Sequence, residues 1–384
     1  MNTPKVPFNR PFIVGKELEY ISQAVLQGHL AGEGAFTKRC HEWIERTFGA
    51  RKALLTHSCT GALEMAAILC DIQSGDEVIM PSYTFTSTAN AFALRGARIR
   101  FVDIRPDTLN LDETKIEEAI TKRTKAIVPV HYAGVACEMD TILEVAQHHG
   151  LFVIEDAAQG VDASYNERYL GTLGHLGTYS FHETKNFISG EGGALLVNDE
   201  RFVRRAEIIR EKGTNRAEFF RGEVDKYSWV DIGSSYLPSE LVAAFLYAQL
   251  EEAERITHKR WEIYNDYLEH FSFLQEQGFV RLPSCPEQCQ HNAHMFYLIL
   301  PSAQARDRLL RYLKEQGVQA VFHYIPLHTS PMGRKMGYQG GELPVTEDLS
   351  GRLVRLPCYF ELGQEEQDRV IKTVESFFYK NSVE

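Results

Sequence analysis

The chain has no apolar run approaching the ~18 residues that a membrane-crossing helix needs, and Met1–Arg10 lacks the apolar core of a signal peptide. Cysteine is sparse: seven residues, scattered and odd in number along 384 positions, which argues against a disulfide framework and points to a reducing cytoplasm. Positive charge is also in the minority. The 41 Lys and Arg against 52 Asp and Glu leave a net charge of −11, and no basic block stands out. Nucleic acid is therefore not an expected partner, because phosphate binding needs clustered Lys and Arg. Internal repeats and low-complexity tracts are absent too, which excludes solenoids and disordered linkers.

What is present describes a globular α/β protein, with 44% hydrophobic and 24% charged residues. The length suits a large domain, expected over residues 1–250, and a smaller α+β domain over 251–384. Glu77–Met80, Ile99–Val102, Ala126–Val130 and Leu151–Ile154 read as buried strands. Gly61–Leu69, Glu113–Ile120 and Met139–His148 carry helical spacing between them. Such alternation predicts a mostly parallel sheet covered on both faces, with ligands beyond the carboxyl ends of its strands. Tyr179–Phe181 and Gly193–Val197 add strands, and a long helical stretch after Pro238 runs on through Tyr264 towards the second domain. That domain reads as strand 294–300, helix 303–316, strand 319–323 and helix 364–379.

Asp156 ends one apolar run within Glu155-Asp156-Ala157-Ala158-Gln159, and Lys185 lies in the turn Ser180-Phe181-His182-Glu183-Thr184-Lys185-Asn186. An acid at a strand end and a lysine in a small turn are what pyridoxal phosphate requires. The lysine holds the aldehyde as a Schiff base, while the carboxylate pairs with the protonated ring nitrogen and keeps the ring an electron sink. Gln159 is placed to meet the ring hydroxyl, or simply caps a turn. Ser58-Cys59-Thr60-Gly61 opens a helical stretch whose amides suit a phosphate, though an ordinary N-cap would use the same residues. Ser180 offers a further hydroxyl, and Phe85 a flat face for the ring.

Two rival constellations fail. Cys285, Cys289, His291 and His294 lie close together but lack paired CxxC spacing, so no metal site is expected. The glycine clusters Gly32-Glu33-Gly34 and Gly190-Glu191-Gly192-Gly193 do not join a strand to a helix with the third glycine of a dinucleotide fingerprint.

With these words assembled, the chain resembles the DegT/DnrJ/EryC1/StrS family of nucleotide-sugar aminotransferases nearly end to end. The match runs from Pro7-Phe8 through Phe322-His323-Tyr324-Ile325-Pro326-Leu327-His328 to Leu356-Pro357. The resemblance implies a fold-type I enzyme working as a homodimer or dimer of dimers, with sites at the subunit interface. It implies the Schiff base on Lys185, the pyridinium contact on Asp156 and the hydroxyl contact on Gln159. Phosphate contacts would fall to Thr60, Gly61 and Ser180, and Phe85 would stack on the ring. Where many members carry Gly-Tyr-Asn-Tyr-Arg, this chain has Gly233-Ser234-Ser235-Tyr236-Leu237, so Ser235 takes the place of the asparagine that reaches the neighbouring subunit's cofactor.

The segments 131–137 and 211–216, with Phe181-His182-Glu183-Thr184, look most like one branch. Its members use L-glutamate to aminate C4 of dTDP-4-keto-6-deoxyglucose, giving dTDP-4-amino-4,6-dideoxygalactose for surface polysaccharides such as enterobacterial common antigen. Arg216, Arg221, Lys226 and Tyr227 lie in a polar stretch placed to meet the nucleotide diphosphate, and His323, Tyr324 and His328 are placed to line the sugar pocket. A solvated loop and strand-end packing are the plainer alternatives. A related sugar dehydratase replaces the lysine by histidine, which Lys185 argues against. Other nucleotide-sugar 3- or 4-aminotransferases and a non-catalytic regulator complete the alternatives.

Overall fold

The computed structural model describes residues 5–381. Twelve strands are found among them. In chain order they are β1 Lys52–Thr56, β2 Glu77–Pro81, β3 Arg98–Val102, β4 Thr124–Ile127, β5 Phe152–Asp156, β6 Ser164–Tyr165, β7 Arg168–Tyr169, β8 Leu176–Ser180, β9 Gly193–Val197, β10 Cys289–Gln290, β11 Phe296–Ile299 and β12 Leu353–Leu356. Seven form one sheet in the order β1-β9-β8-β5-β4-β2-β3. Only β9 runs against its neighbours; the pairs β2–β3, β2–β4, β4–β5 and β5–β8 are parallel.

The strands are nearly continuous apolar runs because both faces of the sheet are covered, and alternate side chains feed two cores. Leu55, Ile79, Ile127, Val153 and Leu196 point to one, where Tyr20, Phe36, Ile44, Ile142 and Ala244 close the layer. Leu54, Val78, Met80, Ala126, Ile154 and Leu195 point to the other, under the helices Cys59–Leu69, Thr86–Ala93 and Glu200–Arg210. The parallel strands end at Pro81, Ile127, Asp156 and Ser180, so one rim of the sheet collects Asp156, Ser180 and the turn after Pro81.

A third core is built on the antiparallel pair β11–β12 and the helices Ala253–Glu276, Ala303–Glu315 and Gln364–Asn381. The N-terminal Val6 belongs to this third core, pairing with Val318, whereas the sequence reading assigns the whole N-terminal segment to the large domain. Tyr83, Tyr132, Tyr297 and Leu353 lie in a smaller cluster shared by both parts.

Four elements differ from expectation. The stretch 319–323 is not a strand: one bridge, Val321 to Arg355, is all it contributes, and the chain then turns so that His323 and Tyr324 reach the sheet rim. The run Ala126–Val130 leaves the sheet after Ile127, where Pro129 has no amide to donate. Residues 113–120 form a 3-10 turn, Glu113–Lys115, followed by the single helical turn Ile116–Ala119. The long helix after Pro238 is two helices, Glu240–Glu251 and Ala253–Glu276, broken at Glu252.

Candidate active site

At the rim lies a cavity of about 410 Å³, within the range of small-molecule sites. Its wall includes Thr60, Phe85, Asp156, Gln159, Ser180, Lys185, His323 and Tyr324, so the structure brings eight of the residues singled out from sequence to one place.

Asp156 is the last residue of β5. Its amide donates to the carbonyl of Pro129, and its carbonyl accepts from the amide of His131. The buried carboxylate accepts from the Thr88 hydroxyl at 2.7 Å and from the Ala158 amide at 3.2 Å. Thr88 is in turn linked to the Thr84 hydroxyl at 2.8 Å. Both oxygens are thus oriented before any ligand arrives. Gln159 accepts from the Ala133 amide through Oε1 at 2.7 Å and donates through Nε2 to the Tyr324 hydroxyl at 3.0 Å.

Lys185 sits in a loop between β8 and β9 that is closed by its own backbone. The Phe181 amide donates to Gly192, Glu183 to Gly190 and Ser189 to Phe181. Lys185 as a whole is half-buried at the cavity wall, and its amino group has no hydrogen bond or ion pair among the described residues. Loss of water around it pulls its pKa below the ordinary 10.5; nearby Cys59 and Asp156 oppose that fall and the charge of Arg355 adds to it. The same low-dielectric surroundings push the Cys59 thiol up to about 12, with Asp156 adding to the rise. His294 and His323 are held well below 6.5, chiefly by burial and further by the charges of Lys185 and Arg355.

The helix Cys59–Leu69 begins on the cavity wall. Ser58 is its N-cap, accepting from the Gly61 amide at 3.1 Å, and its carbonyl accepts from Ala62. The first helical amides, Cys59 and Thr60, have no intrahelical acceptor, and both residues line the cavity, an arrangement suited to an anion. Thr60 and Ser87 share a hydroxyl–hydroxyl bond of 2.7 Å beside them. No side chain fits at Gly193 in β9, because its Cβ would strike the backbone of Ser58 and Cys59. Strand and helix end therefore touch backbone to backbone.

Four residues from the sequence reading lie elsewhere. Gly61 is buried beneath the cavity, packed on His57 and Tyr236, with its amide taken by the cap. His328 is fully buried away from the cavity, with Nδ1 bonded to the Ser82 hydroxyl at 2.6 Å and Nε2 to Glu347 at 2.9 Å. Both ring nitrogens are used up holding the turn after β2 to the helix Pro344–Arg352, so His328 does not line a sugar pocket. Arg216 is paired with Glu211 at 3.5 Å and covers the ring of Phe220. Ser235 is exposed, bridging Glu211 through its backbone, and is absent from this chain's own cavity wall.

The structure also adds residues that sequence reasoning missed. Thr88 orients Asp156, but a threonine in the small polar helix Thr86–Ala93 gives no signal of that. Arg355 lines the cavity from β12, and a lone arginine inside Leu353-Val354-Arg355-Leu356 was a readable anomaly. His294, considered only as a zinc ligand, lines the cavity and meets the Asn186 side chain at 2.9 Å. His291 instead packs on Trp261 and Tyr264, and the Cys285 thiol donates to the Cys289 carbonyl at 3.4 Å.

These features fit pyridoxal phosphate: an unpaired lysine in a dehydrated wall, a fixed carboxylate, free helix-end amides beside two hydroxyls, and the 59%-exposed ring of Phe85 at the mouth. No described helix is long and apolar enough to cross a membrane.

Comparison with known proteins gives the same picture. A family model for DegT/DnrJ/EryC1/StrS aminotransferases matches residues 12–375. The chain is 33% identical over 377 residues to the spore coat polysaccharide biosynthesis protein SpsC of Bacillus subtilis, covering 96% of each. It is 30% identical to GDP-perosamine synthase of Escherichia coli O157:H7, covering 97% of this chain and 98% of that protein. The solved aminotransferase TlmJ of Streptoalloteichus hindustanus superposes with a TM-score of 0.89 at 27% identity, over 98% of this chain and 100% of that one. The chain thus belongs to the DegT/DnrJ/EryC1/StrS aminotransferase family, with the fold-type I architecture and a pyridoxal phosphate cofactor.

Proposed function

We propose that the enzyme transfers the amino group of L-glutamate to C4 of dTDP-4-keto-6-deoxy-D-glucose. The products would be dTDP-4-amino-4,6-dideoxy-D-galactose and 2-oxoglutarate, for surface polysaccharide synthesis in the cytoplasm. The observation that carries the transamination chemistry is the unpaired, dehydrated Lys185 amine on the same cavity wall as the pre-oriented Asp156 carboxylate. The choice of sugar and donor rests on the resemblance carried by the segments 131–137 and 211–216; the relatives named for polysaccharide and perosamine synthesis support only the coarser reading of an amino-sugar pathway.

The cofactor, when bound, supplies an electrophilic aldehyde and an electron sink. Lys185 would hold it, and its Nζ would serve as the base that moves the proton at the carbon bearing the donor nitrogen. Asp156, fixed by Thr88 and Ala158, keeps a proton on the ring nitrogen. Gln159 would meet the ring hydroxyl, Phe85 would cover the ring, and Thr60 and Ser180 would bind the phosphate. His323 and Tyr324 form the sugar side of the wall. The active unit in this reading is a homodimer in which exposed Ser235 reaches the neighbouring site. The exposed apolar side chains Trp229, Val230 and Ile232 close to it favour a covered face.

The test is product analysis. Purified protein is incubated with L-glutamate and the dTDP-, UDP- or GDP-linked 4-keto-6-deoxy sugars, and the amino sugar is identified by NMR. Preferential formation of the axial 4-amine on the dTDP sugar is expected. Preference for another nucleotide, amination at C3 or an equatorial amine would replace this substrate and leave the aminotransferase intact.

A further inference from the structure

The cavity holds a guanidinium with no counterion. Arg355, in the middle of β12, is anchored through its backbone, exchanging hydrogen bonds with Val321 at 2.7 and 3.2 Å. Its guanidinium lies over the ring of Phe8, 4.9 Å from the centroid, and lines the cavity. Nε is buried without an acceptor, and no carboxylate among the described residues is within ion-pair reach of this side chain. Arginine keeps its charge in any protein setting, so a partly dehydrated, unpaired guanidinium is costly unless an anion arrives to meet it.

Four anionic groups enter this site in the reading above, and their chemistry separates them; the γ-carboxylate of glutamate lies three bonds from the reacting carbon and so stands further from the lysine than the α-carboxylate. The cofactor phosphate has its own place at the helix end formed by Ser58, Cys59 and Thr60. The diphosphate of a 4-keto sugar nucleotide hangs from C1, across the ring from the reacting carbon, so it lies away from the lysine. An α-amino acid differs: its carboxylate is on the very carbon whose amine reacts, so its partner must stand beside Lys185. Arg355 is close enough to Lys185 to depress its pKa. His294 and His323 share this part of the wall with their pKa values held well below 6.5 by burial, and Lys185 is taken up in holding the cofactor, which leaves Arg355 as the permanent cation here.

We propose that Arg355 binds the α-carboxylate of the amino-acid donor through its planar fork, and so selects an α-amino acid over a simple amine. The proposal rests on the donor half of the function given above. Arg355 has no part in the chemical step; it places the donor's α-carbon against Lys185.

Arg355→Gln and Arg355→Lys, both loaded with cofactor, provide the test. Cofactor absorption is followed after rapid mixing with L-glutamate, and in a separate experiment with the 4-amino sugar nucleotide. The glutamate concentration for half-maximal rate should rise roughly 100-fold in Arg355→Gln and less in Arg355→Lys, which keeps the charge but loses the fork. Measured at a pH above the acid limb set by Lys185, the amino-sugar half-reaction should stay within about threefold, as expected for a group that touches only the donor. Maleate, an unreactive dicarboxylate, should bind the wild type by calorimetry and lose affinity in parallel. An unchanged glutamate requirement, unchanged maleate affinity, or equal loss in both half-reactions would overturn the assignment. A wild type that ignores glutamate would overturn the donor reading instead, and the maleate titration would still judge Arg355.

Discussion

The hydroxyl of Thr88 donates a 2.7 Å hydrogen bond to Oδ2 of Asp156, joining the helix Thr86–Ala93 to the end of β5. The helix behind the turn after β2 thereby fixes the direction of the acid proposed above as the partner of the ring nitrogen. Thr88→Val keeps the shape and removes the donor, leaving a buried carboxylate oxygen short of one partner at a cost of about 1–3 kcal/mol. Turnover should fall roughly tenfold while cofactor content stays near normal, and Thr88→Ser should restore most of it. Paired measurement of kcat and bound cofactor checks this; unchanged turnover would show that Asp156 needs no help to hold its direction.

Lys185 predicts a pH profile. Because burial lowers its pKa, the free amine is available as a base at lower pH than an ordinary lysine with its 10.5. The acid limb of kcat should therefore lie well below that value. Arg355 contributes to the fall, so at saturating donor the limb should move to higher pH in Arg355→Gln. Lys185→Ala should abolish turnover by at least about 1,000-fold, since holding the cofactor and moving the proton are lost together. In the wild type, borohydride reduction followed by peptide mass mapping should find the cofactor's mass on residue 185. Label on any other lysine would reassign the site.

The parts of this site that follow from local chemistry were legible in the sequence. An acid ending a buried run must lie at a strand end, and Asp156 does; a lysine in a turn before Gly190-Glu191-Gly192-Gly193 must face the same rim, and Lys185 does. What escaped were contacts between distant segments. His328 and His323 occupy one motif five residues apart, and nothing in their spacing says that one enters the cavity while the other is consumed by Ser82 and Glu347. Thr88 and Arg355 are likewise defined by partners far away in the chain. The absent strand at 319–323 has the same origin: a local apolar pattern predicts extension, but β12 pairs with β11 on one side and with Val321 alone on the other.

Gly193 sets the sheet against the helix end proposed above for the cofactor phosphate. Its Cβ would run into the backbone of Ser58 and Cys59, neither of which is the flexible end of a side chain, so the helix end itself would have to move. Gly193→Ala should therefore loosen the phosphate site and strain the β1–β9 pairing, destabilising the fold by about 1–3 kcal/mol. A thermal melt with and without added cofactor separates the two effects. The wild type should gain more stability from the cofactor than the variant does, and an equal gain would mean that the helix end relaxes without harm.

His328 is a structural tie, and its loss should read as stability rather than as substrate affinity. In His328→Ala the Ser82 hydroxyl and the Glu347 carboxylate both lose their imidazole partner, with an expected loss of about 2–4 kcal/mol. The bond from His328 holds the Glu347 carboxyl below its ordinary 4.5, so this pair's contribution is present above that pH and is lost as the pH falls through the lowered value. The variant should accordingly lose less stability than the wild type when both are acidified through that range. His323→Ala is the contrast, because that ring faces the cavity: kcat or KM should change there while the melting temperature moves less. A His328→Ala protein with normal stability and a raised KM for the sugar would restore His328 to the substrate pocket.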